Sequence, residues 1–62
     1  MVYNFMIKEI DLNIEDEREA QRMYRKLIKL LNQNKVDSDG IEMVLMDEVK
    51  HEEFLKKLKR KL

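Results

Sequence analysis

Apolar residues recur along this chain in alternating steps of three and four, the repeat of a helix with one buried face. In the first half the stripe reads Tyr3, Met6, Ile10, Asn13, Glu17, Ala20, Tyr24, Leu27 and Leu31, and in the second Ile41, Val44, Glu48, His51, Leu55, Leu58 and Leu62. Ile7, Ile14, Ile28 and Leu45 widen both stripes beyond a thin coiled-coil seam, as a helix bundle requires. The only cluster of turn-forming residues is "NQNKVDSDG", residues 32–40, and the flanks are rich in the helix formers Leu, Met, Glu, Lys and Arg. The pattern therefore predicts one helical-hairpin domain over residues 1–62: helix 1 from about 4 to 33, a turn over 34–38, and helix 2 from about 39 to 61. Asp37, Ser38 and Asp39 are all candidate N-caps for the second helix. Asp39 with Glu42 has the spacing of a capping box. The start of helix 1 has competing readings, because Tyr3, Phe5 and Ile7 alternate like a strand and Asn13 could cap a shorter helix. A lone strand has nothing to pair with in so short a chain, which favours the long helix.

Two antiparallel helices cannot enclose a core. Each hairpin must cover its stripe, and the simplest cover is a second copy. The expected fold is all-α: an antiparallel two-helix hairpin that dimerises into a four-helix bundle, as a homodimer or a higher homo-oligomer.

Composition sharpens this. With 62 residues the chain is a single unit that buries little surface alone, and it has no cysteine for disulfides or thiolate metal sites. A metal held by carboxylates and His, or self-association, remains, and the lack of cysteine fits a reducing cytoplasm. Net charge is zero with His neutral, but it is unevenly spread. Acids crowd residues 9–19, while Lys56, Lys57, Lys59, Arg60 and Lys61 close the chain, an order that compensates helix dipoles. That short basic run lacks interleaved aromatics and is offset by acid elsewhere, so nucleic acid is not an expected partner. No stretch reads as a signal peptide or a bilayer-spanning run, and "MVYNFMIKEIDL" at the amino end reads as folded protein, so no membrane partner is expected.

The candidate chemistry lies on the stripes. Glu17, Glu48 and His51 are the ionisable groups at central apolar positions, and a buried carboxylate needs a partner. Glu48 and His51, three apart, share one helical face, and Glu17 can approach them across the hairpin. Glu-x-x-His alone is a common accident; its register with Glu17 is what gives it weight. Doubling the hairpin brings four Glu and two His to mid-height, an inventory suited to two divalent metals with bridging carboxylates and capping imidazoles. The competing reading is a non-catalytic dimerisation or interaction module, in which this buried polar cluster only sets register and partner choice. Glu52 lies beside the stripe, either as an extra ligand or acid next to the site, or, with Glu53, as a surface carboxylate facing the lysines.

These residues also resemble a known family. "EREAQRMY", residues 17–24, resembles the first metal-binding helix of rubrerythrin-type ferritin-like proteins, in which a ligand Glu is followed by Ala three and Tyr seven positions later. "DEVKH", residues 47–51, resembles the family's Glu-x-x-His half-motif. Such proteins hold a Glu from each of two helices and a Glu-x-x-His from each of the other two. The chain has one helix pair where full rubrerythrins have two, so it is similar to the half-length, encapsulated ferritin-like members that build the bundle by dimerising. The resemblance implies a di-iron carboxylate centre with two Fe per dimer, Mn or Zn being substitutes, with Glu17, Glu48 and His51 as ligands and Tyr24 as a hydrogen-bonding neighbour or a packed aromatic. It implies ferroxidase-like or peroxide-reducing redox activity on O2 or peroxide, a separate electron donor, and a setting in the cytoplasm or within a protein compartment there.

Overall fold

A computed structural model describes residues 2–62 as two helices, α1 over Val2–Gln33 and α2 over Asp39–Arg60, packed against each other as a hairpin. The hairpin is a rod of 51 × 14 × 11 Å. Tyr3, Phe5 and Ile7 lie inside α1, so their alternation is incidental, and α1 begins two residues ahead of the expected start. Asn13 caps nothing: it sits mid-helix and its side-chain amide donates to the Glu9 carbonyl at 2.8 Å. No described helix is long and apolar enough to cross a membrane.

Helix α1 stops because the chain turns left-handed at Lys35, φ 57°. The Lys35 N–H then donates to the Asn32 carbonyl at 3.2 Å and the Val36 N–H to the Leu31 carbonyl at 2.8 Å, the two bonds of a Schellman closure. The position after the cap usually carries glycine; here it carries a lysine.

At the start of α2 the three candidate caps divide the work. Ser38 holds the N-cap position, is buried, and shares its hydroxyl between Asn32 Oδ1 at 3.1 Å and Glu42 Oε2 at 3.2 Å. Asp37 Oδ1 accepts from the Asp39 N–H at 3.0 Å. Asp39 is therefore the first helical residue and not a cap, and Glu42 reaches back to Ser38. The Ser38–Asn32 bond ties the first turn of α2 to the last turn of α1. Basic Lys57, Lys59 and Arg60 occupy the last turn of α2, where the dipole favours them.

The seam between the helices is thin. Among the described residues only Ile10 and Ile14 are buried apolar side chains, at 8% and 6% exposure, and α2 has no buried residue at all. Burying one such side chain is worth about 1.5–3 kcal/mol, whereas ordering the backbone costs roughly 1–2 kcal/mol per residue. Leu27, Val44, Leu58 and Leu62 of the two stripes all remain exposed. One hairpin therefore leaves part of its apolar stripe in water and most of the rest only half-buried. Replacing Lys35 by Gly removes the left-handed penalty at the turn, and Lys35→Gly should stabilise the fold by about 1 kcal/mol, a gain of roughly 4–8 °C in a domain this small. Thermal melting followed by circular dichroism checks this, and an unchanged or lower midpoint refutes it.

Candidate metal centre

Glu17 lies at the middle of α1, and Glu48 and His51 face it from the middle of α2. Their register is set one turn away by Gln21. Its buried amide donates to Glu52 Oε1 at 2.9 Å and reaches the Glu48 carbonyl oxygen at 3.5 Å. Glu52 Oε2 also meets Lys56 Nζ at 2.8 Å and Arg18 Nε at 3.5 Å. Two α1 side chains thus grip one α2 carboxylate, and the helices cannot slide without breaking that grip.

With the register held, Glu17, Glu48 and His51 each bring one donor atom to a common point, all within 4.8 Å of one another. His51 Nδ1 lies 3.8 Å from Glu17 Oε2. Ligands about 2 Å from a shared ion stand at most about 4 Å apart, so the three close on one ion with adjustments of about an ångström or less. The Glu17 side chain is 22% exposed, while that of His51 is 61% exposed. The group therefore opens outward, past His51. Val44 and Leu58, seven residues to either side of His51, share its face of α2 and are exposed there.

The electrostatics of the group are unsettled. Glu17 Oε2 is buried and has no hydrogen-bond partner. The Glu17 carboxyl is pushed above its ordinary value of 4.5, first by sharing a hydrogen bond with Glu48, then by burial and by the Glu48 charge, with His51 opposing. Two carboxylates this close make it costlier to ionise both, a cost that a proton or a cation between them would relieve. Glu52 is the reverse case: the Lys56 hydrogen bond, with help from Gln21 and Arg18, holds it below 4.5 despite its burial.

The structure brings together the three residues expected to act jointly. Glu52 stands outside the group, its carboxylate taken up by Gln21, Arg18 and Lys56. It faces a lysine, but from within the seam and not from the surface. Tyr24 is half-buried two turns beyond Glu17, about 10 Å along the axis. Among the described residues no hydrogen bond joins it to the group. Sequence reasoning missed Gln21. Its signal was present in the spacing Ile14, Gln21, Ile28, which runs an amide through the line of isoleucines that widens the stripe. Comparison of the chain with protein-family models, with curated proteins and with solved structures gives no match, so the ferritin-like resemblance rests on the motifs alone.

The raised Glu17 pKa has a definite sign. Glu17 holds its proton more tightly when folded, so metal-free protein gains stability as pH falls through the raised value. The gain is complete below the ordinary 4.5 and is lost again as pH rises. Glu52, held low, stays ionised through that window and keeps its grip. Glu17→Gln supplies a permanent donor to Glu48. In chelator-treated buffer at neutral pH the variant should melt higher than wild type by about 1 kcal/mol, the low end of what an unmet buried acceptor costs. It should also lose this part of the pH dependence. A variant that melts lower at neutral pH without metal would show that Glu17 is held by its neighbours and not strained by them.

Proposed function

We propose that two copies of this hairpin pair across the face bearing Glu17, Glu48 and His51 and hold two divalent ions there, as a half-length di-metal carboxylate protein of the ferritin-like kind. The observation that carries this reading is the unpartnered, buried Glu17 oxygen beside a second carboxylate and an imidazole. The donor set is right for iron, manganese or zinc: hard carboxylates with a borderline imidazole. The apolar residues flanking the group give the second copy its reason to bind. Val44 and Leu58 on α2 and Leu27 on α1 are exposed in one hairpin and would be covered in a pair. Two-fold symmetry then doubles the ligands to four carboxylates and two imidazoles.

In this reading Glu17, Glu48 and His51 would together hold the ions, with Glu48 in the bridging role that the ferritin-like resemblance implies and Glu17 and His51 as the remaining ligands. In the pair their neighbours would exclude water, and Gln21 with Glu52 would fix the spacing of the donors. Iron bound there would supply one-electron chemistry toward O2 or peroxide, so the activity is ferroxidase-like or peroxide-reducing. With no cysteine for a rubredoxin-like iron site in this chain, electrons come from a separate donor. The cytoplasm, or a protein compartment within it, is the setting.

A second reading has an observation of its own. His51 Nδ1 already lies 3.8 Å from Glu17 Oε2, close enough for the cluster to serve only to set the register of a helical interaction module. Metal separates the two. At roughly 100 times its Kd, a ligand specific to the folded state adds about 2.7 kcal/mol, so Fe(II) under anaerobic conditions, or Mn(II), should raise the melting temperature by well over 5 °C. About one ion per chain should be retained in native mass measurements, and admitting air to the Fe(II) form should produce a ferric absorption that Glu48→Ala lacks. A melting temperature indifferent to metal, with no ion retained, leaves the interaction module as the function.

A further inference from the structure

The hairpin carries two more surfaces that neither the seam nor the Glu17 group uses, and they are unlike. On the side of α2 opposite His51, Leu45, Met46 and Val49 floor an open groove of about 350 Å³, with Arg25 of α1 and Lys50 of α2 on its rims. Arg22, Arg25 and Lys29 follow at steps of three and four, so they form one cationic line along this side of α1. Among the described residues no ion pair engages Arg22, Arg25, Lys29 or Lys50. The second surface is a ridge of α1 that begins at Glu9, beside Leu58 and Leu62 of α2, and runs on along the outer side of α1. Glu9, Leu12, Asp16 and Glu19 succeed one another at steps of three, four and three, all exposed, with Leu12 set among the acids. No ion pair engages these three acids among the described residues either.

One surface is an apolar floor with a cationic rim; the other is a single leucine set among three acids. Their lengths are comparable. The ridge from 9 to 19 spans about 15 Å and the cationic line from 22 to 29 about 10 Å, at 1.5 Å per residue. A single hairpin cannot bring its own ridge to its own groove, because the ridge and the groove's Arg25 rim lie on the same rigid α1 at different heights and on different sides. A further copy can.

We propose that the Leu12 ridge of one hairpin seats in the Met46–Val49 groove of another, with Glu9, Asp16 and Glu19 facing Arg22, Arg25, Lys29 and Lys50. The occupant is a further copy because the chain itself supplies the complement in both charge and apolar character. Because the two surfaces differ, the contact is head-to-tail, and it closes into a ring or continues as a filament. The contact uses none of Glu17, Glu48 or His51, so it stands or falls apart from metal binding.

Sedimentation of the metal-free protein tests this at about 10 mM and about 1 M salt, between which the screening length falls from ~30 Å to ~3 Å. At low salt the mass should reach at least double that of the smallest unit, and at high salt it should return to that unit. A ridge-reversed variant, Glu9→Lys with Glu19→Lys, and a groove-reversed variant, Arg25→Glu with Lys50→Glu, should each stay at the smallest unit in low salt. Mixing the two should restore the larger species, since each then offers the other a complementary surface. A folding defect in either variant cannot be repaired by mixing, so the mixture reads the contact and not stability. Wild-type protein that never exceeds the smallest unit at low salt, assemblies indifferent to salt, or a mixture that fails to associate overturns the proposal.

Discussion

The contact between Gln21 and Glu52 decides where everything else in the hairpin lies. Two helices that bury little more than Ile10 and Ile14 have almost no packing to resist a slide along their common axis. A shift by one turn would cost few apolar contacts, because only Ile10 and Ile14 are buried among the described apolar side chains. A buried amide that must find an acceptor is less forgiving. Gln21 meets Glu52 in one register only, and Arg18 and Lys56 complete the carboxylate's shell there. That register places Glu17 across from Glu48 and His51. Polar contacts in a thin seam thus supply the uniqueness that a larger core would supply by shape.

The same thinness explains why the chain tolerates a strained carboxylate at its centre. In a well-packed core, Glu17 beside Glu48 would be a heavy liability, one buried oxygen without a donor and two like charges side by side. Here His51 and the open side of the group relieve part of it, and a proton relieves more. What remains is a preference for whatever cation fits. The strain is therefore the part of the structure that speaks for a ligand, whereas Glu52, fully served by its neighbours, speaks for architecture. The two glutamates are pushed in opposite directions from the ordinary value of 4.5.

Much of this was legible in the residues. The three-four rhythm located both helices, and the absence of proline and the cluster at 32–40 located the turn. The placement of Glu17, Glu48 and His51 on the stripes was enough to expect their meeting. What stayed illegible has a common physical cause, since each case turned on which of several competent groups takes a partner. Asp37, Ser38 and Asp39 could each cap α2, and the winner depended on Asn32 reaching across the turn to Ser38. Lys35 in a left-handed conformation leaves no trace in a sequence where glycine was the expected signal. Glu52 could be ligand or brace. The answer lay in Gln21, a residue on another helix whose significance appears only once the register is known.

In the proposed pair, symmetry would carry the last step from hairpin to centre. A single triad of two carboxylates and one imidazole, open past an exposed His51, leaves water free to occupy the remaining coordination positions and holds an ion loosely. Pairing through the surrounding apolar face would change both terms together: it removes the water and adds a second set of the same ligands. The apolar residues that make the lone hairpin uncomfortable in water and the carboxylate that makes its centre strained would then be relieved by one event. On the proposed reading folding, pairing and metal uptake would be coupled, because none of the three would be strongly favoured by itself. A sequence of this length that bound metal well as a lone hairpin would need more ligands per helix than two helices present to one point.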